Sequence, residues 1–285
     1  MIRALLRDEY PELLQEIPEP PKQLRYEGTL PIEGNKLLAV VGARKFSPYG
    51  REVCEELILG LSGEPVTIVS GLALGIDSIA HRAAIRAGLQ TIALPGSGLD
   101  RSVIHPRSHA GLVDEIVESG GGLMSEYEDT MPAGVWAFPR RNRIMAGMCH
   151  ATLVIEAEKK SGTLITSRLA TEYNREVGAV PGPLHSPTSE GPHMLIRLGA
   201  ALIRDKNDLL ELLGLPRKDE APTLLDIEDL TGEEKLFIKL LETPCARDEL
   251  IRKSKLETGS ANAILSLLEI KGLITEELGE VRKTF

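Results

Sequence analysis

The residues of this sequence best equipped for chemistry are cations gathered on one stretch. Arg140, Arg141 and Arg143 enclose Asn142 just behind Phe138, and Lys159-Lys160-Ser161-Gly162-Thr163 follows after the apolar run ATLVIEA. Guanidinium and ammonium groups, hydroxyls and a glycine turn together make a donor-rich surface, the complement of a phosphate. Between residues 136 and 176 there are seven basic side chains and four acidic ones, in a chain of formal net charge -9. A polyanion would therefore be met by a local patch and not by the surface as a whole. Phe138 offers a flat face on which a base can stack, whereas Trp136 reads as core.

Other candidates close apolar runs. Gly42-Ala43-Arg44 ends the first, where glycine lets a ligand approach the backbone and Arg44 can fork onto an anion. Ser70-Gly71 ends the second, ahead of LALGIDSIAHRAAIRAG. Asp77 is expected to cap the helix that begins there, and His81, one turn on, to hold a hydrogen bond within the fold. His105 and His109 lack the carboxylate of the HExxH zinc motif, so no metal site is expected. Neither GAR nor GSGLDR carries the three glycines of the dinucleotide fingerprint, which argues against NAD chemistry. Cys54, Cys149 and Cys245 are odd in number and far apart in sequence, as expected of reduced, mostly buried thiols in the cytoplasm. No run approaches the roughly 20 apolar residues of a membrane span, so no membrane partner is expected.

These residues need a scaffold, and the apolar runs supply one. From Lys36 onward LLAVVG, VTIVSG, TIALPG, GLMSEY, ATLVIEA, EVGAVPG and ALIRD alternate with helical patterns starting near Pro48, Ile76, Arg107, Arg140, Leu164, Glu190 and Asn207. Such alternation predicts an α/β fold, a mostly parallel sheet with helices on both faces. Anion sites in such sheets are the loops at strand carboxyl ends, where the glycines and cations stand. Residues 1–35 read as an N-terminal arm, with a short helix at 3–15 and then prolines that forbid another. The sheet domain is placed at 36–215, a linker at 216–223 and a small domain at 224–285, whose three short helices and terminal ribbon describe a winged helix. From Pro222 onward nine Lys and Arg face thirteen Asp and Glu, and the third helix, TGSANAILSLLEI, has no basic residue. Strong duplex reading by this domain is therefore not expected.

In order along the chain, VVGARKFSPYG, VSGLALGIDSIAHRAAI, GSGLDRSVIHPRSHAGL, LMSEY, FPRRNRIMAG, LVIEAEKKSGTLITSRLA, REVGAVPG and LIRLGA resemble the bacterial DNA-processing protein A family, DprA, also called Smf. The resemblance implies an extended Rossmann-like fold that binds single-stranded DNA, with no catalytic residues, cofactor or metal. It implies a homodimer that protects incoming DNA during natural transformation and loads the RecA recombinase for DNA recombination. By motif it places Gly42, Arg44, Gly71, Phe138, Arg141, Asn142, Arg143, Lys160, Ser161, Gly162 and Thr163 at the pocket; the same strand ends and cation cluster add Ser70, Arg140 and Lys159. The sequence departs from the family pattern at His105, Ser108 and His193. Its arm reads as the remnant of a SAM-like domain.

Two rivals are defined by chemistry. Phosphoribohydrolase-like enzymes of the lysine-decarboxylase-like Rossmann group use a PGGxGT loop, and here KKSGT puts lysines where two glycines are needed. A transcription factor would read a duplex through the winged helix, against which the acidic tally speaks.

Overall fold

The structure is a computed structural model that describes residues 1–216, 230–241, 243–271, 273–277 and 279–283. The chain divides into two units, Met1–Arg217 and Lys218–Phe285. Beyond Pro216, the expected linker lies outside the described residues.

In the first unit the expected alternation appears as β3 (Lys36–Val41), α2 (Pro48–Gly60), β4 (Val66–Ser70), α3 (Ile76–Arg86), β5 (Gln90–Ala93), α4 (Ala110–Glu118) and β6 (Gly122–Ser125). It continues as α5 (Ala137–Met148), β7 (Ala151–Val154), α6 (Thr163–Glu172), β8 (Glu176–Ala179), α7 (Glu190–Arg197), β9 (Ala201–Leu202) and α8 (Lys206–Leu212). Two further strands, β1 (Arg3–Leu5) and β2 (Leu24–Gly28), flank a single turn, α1 (Glu12–Gln15). Among the described residues these form one nine-stranded sheet, ordered β1-β2-β6-β5-β4-β3-β7-β8-β9. All its ladders are parallel except those joining β1 to β2 and β2 to β6.

Strand β3 shows why the sheet is covered twice. Leu38 and Val40 pack on one face with Ile58, Ile68 and Leu153, while Leu37, Ala39 and Val41 pack on the other with Val69, Ile144 and Met145. Successive side chains of a strand point to opposite faces, so a wholly apolar run needs helices on both. Each fully buried leucine or isoleucine contributes roughly 1.5–3 kcal/mol.

The expected helix over residues 3–15 is not formed. Leu6 and Tyr10 are extended, Pro11 precedes α1, and Arg3–Leu5 pairs antiparallel with β2. Proline ends any helix reaching it from the amino side, and a neighbouring strand offers the preceding backbone a ladder instead. Residues 24–28 complete that ladder by pairing Tyr26 with Met124 of β6.

The second unit contains α9 (Gly232–Leu240), β10 (Cys245–Ala246), α10 (Arg247–Ser254), α11 (Thr258–Ile270), β11 (Ile274–Glu277) and β12 (Glu280–Lys283). Its sheet order is β10-β12-β11, with β10 an addition to the expected ribbon. Phe237, Leu250, Leu265, Leu268 and Val281 form its core. Thr231 and Glu234 close the start of α9 as a capping box.

Candidate nucleic-acid interface

From β3 the chain adds β4, β5 and β6 on one side, then crosses to place β7, β8 and β9 on the other. The loops leaving β3 and β7 therefore diverge, and the crevice between them is the topological switch point where open α/β sheets receive ligands. A cleft of about 510 Å3 lies there, lined by the loops after β3 and β7, the turn after β4 and one face of α5.

Close backbone packing builds its walls. Gly75, at φ 86°, turns the chain into α3, and the Ile76 amide donates to the Ala43 carbonyl at 3.2 Å. A Cβ on Gly42 would lie 2.6 Å from Ile76 Cγ1, so any side chain there would push α3 away. Across the crevice, the Thr163 hydroxyl donates to the Gly42 carbonyl at 3.1 Å, and the Ser161 hydroxyl to Thr163 Oγ1 at 3.0 Å. Buried Glu156 ties a third loop to these two, accepting from Ser47 N at 2.9 Å, Ser47 Oγ at 2.6 Å and Thr188 Oγ1 at 2.8 Å.

Four cations line the cleft, Arg44, Lys45, Arg141 and Lys160, against the carboxylates of Asp77 and Glu158. The exposed Arg44 guanidinium lies 5.5 Å from the Phe138 ring centroid, a cation–π arrangement that holds both at the mouth. Asn142 lines the same wall. Arg141 is buried behind them and donates to the Leu94 carbonyl at 2.7 Å, while its Nε has no partner. Burial lowers the Arg141 pKa, opposed by the nearby Asp77 charge. Burial likewise raises the Asp77 pKa, opposed by Arg141. Asp77 does not cap its own helix as expected: Oδ2 accepts from the amides of Gly71 at 3.1 Å and Ala73 at 3.3 Å, fixing the turn that precedes it.

The structure divides the sequence-selected residues. Gly42, Arg44, Phe138, Arg141, Asn142, Lys160, Ser161, Gly162 and Thr163 all line the cleft. Gly71 lies behind it against Arg141, and the buried Ser70 hydroxyl donates to the Val40 carbonyl at 2.7 Å. Lys159 is exposed outside the lining. Arg140 and Arg143 lie on another face of α5, where both pair with Glu126, and Arg143 also donates to the Glu19 carbonyl. Lys45 was not singled out in sequence; its signal was adjacency to Arg44 after a buried strand.

Trp136 is not core but 59% exposed, because it precedes the first turn of α5, outside the packed face. His81 is fully buried with Nδ1 2.7 Å from Thr91 Oγ1, the internal hydrogen bond expected of it. His109 Nδ1 donates to the carbonyl of Leu72, a buried residue at φ 57°, in the left-handed region that leucine rarely enters. The three cysteines are free and buried. Among the described residues no helix is long and apolar enough to cross a membrane.

A doubly covered, mostly parallel sheet with a cationic cleft at its switch point, followed by a small winged-helix unit, defines a Rossmann-like protein. The chain belongs to the DNA recombination-mediator protein A family, whose model matches residues 2–214; a DprA winged helix domain matches residues 219–280. It is 44% identical over 215 residues to Protein Smf of Escherichia coli, covering 75% of this chain and 57% of that one. It is 42% identical over 207 residues to the DNA processing protein DprA of Streptococcus pneumoniae, covering 73% and 72%. The X-ray structure of the Streptococcus pneumoniae protein superposes with a TM-score of 0.69 at 40% identity over 74% of each chain. A Helicobacter pylori DNA processing protein A, whose structure describes a single-stranded DNA binding mode, superposes with a TM-score of 0.67 at 28% identity, covering 74% of this chain and 95% of that one.

Proposed function

We propose that this protein binds single-stranded DNA in the cleft at the switch point, as a non-enzymatic protein that needs no cofactor. The observation that carries the reading is the joining of Arg44, Phe138, Asn142 and Lys160 in one cleft by two different loops and a helix face. Cations and amide donors meet phosphates whatever the sequence, and an aromatic face accepts any unstacked base. The single-stranded DNA binding mode described for the Helicobacter pylori relative supports the same assignment.

Around this activity we place the role that membership of the family brings: protection of incoming DNA in natural transformation and loading of the RecA recombinase, in the cytoplasm. The exposed Leu198 and Leu202, on and beside edge strand β9, support a homodimer formed late in the sheet unit.

The test is fluorescence anisotropy with a labelled oligothymidylate and a matching duplex, at low and high salt, on wild type and Arg44→Ala. The reading expects preference for the single strand, affinity that falls steeply with salt, and a salt slope reduced by about 0.7 in the variant for one lost phosphate contact. Salt-independent binding, or equal binding by Arg44→Ala, would overturn it. Absence of binding would direct the next assay to release of free base from a nucleotide.

A further inference from the structure

Trp136 is exposed but not loose. Its indole meets the Tyr127 ring edge-on, with centroids 5.6 Å apart and planes at 86°. A Cβ on Gly134 would lie 2.8 Å from indole Nε1, so the backbone at Gly134 closes in on another side. Tyr127 is itself fixed: its amide donates to Ser125 Oγ at 3.1 Å and its hydroxyl to the Ala137 carbonyl at 3.4 Å. An aromatic surface is thus presented to solvent with little side-chain freedom left to lose on contact.

The helical period then sorts α5. Phe138, Arg141, Asn142 and Met145 face the first cleft, at the spacing i, i+3, i+4, i+7. Trp136, Arg140 and Arg143, at i, i+4, i+7, border a second groove of about 840 Å3, which Arg7 and Lys22 also line. Arg143 and Glu126 neutralise one another beneath it. Arg140 reaches Glu126 only at 3.6 Å, with its side chain 58% exposed. Among the described residues no ion pair holds Arg7 or Lys22, and Glu19 is the other acid in the groove. Three cations about a braced, exposed indole suit one polyanion well. Duplex DNA keeps its base faces stacked and cannot use the indole, whereas an unpaired strand offers base faces and phosphates together.

We propose that this groove is a second subsite for single-stranded DNA, where a base stacks on Trp136 and phosphates meet Arg140, Arg7 and Lys22. The inference rests on the reading of the first cleft and extends it: the strand passes over the start of α5, from Phe138 to Trp136, two residues apart.

Trp136 is the only tryptophan in the chain, so its emission reports on the groove alone. The full chain is titrated with oligothymidylates of about 20 and about 4 nucleotides, the shorter at the low end of known site sizes. The long strand is expected to quench Trp136 emission in step with its anisotropy, and the short one to bind with little quenching. Trp136→Ala is expected to weaken the long strand roughly tenfold, the effect of one lost stacked base, and to leave the short strand unchanged. Trp136→Phe should restore most of the loss, and Arg140→Gln should lower the salt slope by about 0.7. Long-strand binding without quenching, or unchanged in Trp136→Ala, overturns the second subsite and leaves the first cleft standing. Failure of both oligonucleotides to bind the folded protein instead removes the first cleft, and this subsite with it.

Discussion

Gly71 and Arg141 fit together with no room between them: a Cβ built on Gly71 would overlap the Arg141 guanidinium. The turn after β4 and the face of α5 are thereby in register, with Arg141 held by the Leu94 carbonyl and by the charge of Asp77. The absence of a side chain at residue 71 is what lets a buried cation sit behind the cleft.

Gly71→Ala must therefore move either the turn or the guanidinium. Overpacking of this kind costs about 1–3 kcal/mol, and Arg141 lines the same cleft as Phe138 and Asn142. Urea denaturation is expected to show that loss, and anisotropy a weaker single-strand affinity in the variant that remains folded.

Asp77 does two things, and two substitutions separate them. Asp77→Asn keeps an oxygen for the Gly71 and Ala73 amides but removes the charge that opposes Arg141, whereas Asp77→Ala removes both. Leaving a buried cation without its counter-charge costs about 3 kcal/mol, and unsatisfied buried amides add about 1–3 kcal/mol each. Alanine is expected to be the more destabilising in urea melts. Equal midpoints for the two variants would show that the amide contacts contribute nothing.

Glu156 holds Ser47, which caps α2, and Thr188 through three hydrogen bonds. In Glu156→Ala the Ser47 amide and the Ser47 and Thr188 hydroxyls all lose their shared acceptor. The expected cost is about 1–3 kcal/mol, or roughly 2–10 °C in Tm, read by thermal unfolding followed by circular dichroism.

His81 makes stability depend on pH. The Thr91 hydroxyl donates to the Ile68 carbonyl at 3.0 Å, so His81 Nδ1 carries the proton between them, and Nε2 is buried without a partner. Burial first, then the charges of His109 and Arg141, lower the His81 pKa to about 3. An unfolded histidine titrates near 6.5, so between about 6.5 and about 3 the unfolded chain binds a proton that the folded one refuses. Stability therefore falls with decreasing pH through that window, by about 1.4 kcal/mol per unit from this group. Urea midpoints at pH 7.5, 6 and 5 should fall more steeply for wild type than for His81→Gln; parallel curves would count against the assignment.

Much of this was legible in the amino-acid order. The alternation of mostly apolar runs with helical spacing determined a doubly covered parallel sheet, because burial on both faces leaves a strand few polar positions. Strand ends were readable too, since Gly42-Ala43-Arg44 and Ser161-Gly162-Thr163 break the apolar pattern where the backbone must turn. A cationic patch in an acidic chain followed from counting charges.

Only the tertiary structure decided which cations meet. Arg140, Arg141 and Arg143 are near neighbours in sequence, yet α5 turns by about 100° per residue, so packing sends Arg141 to the cleft and the other two to Glu126. The strands at residues 3–5 and 24–28 depend on partners far along the chain, with Tyr26 against Met124, and no local propensity encodes such a ladder. Trp136 departs from the core place its type suggests for the same reason. Its apolar character is a property of the residue, whereas its exposure follows from where the first turn of α5 meets the sheet.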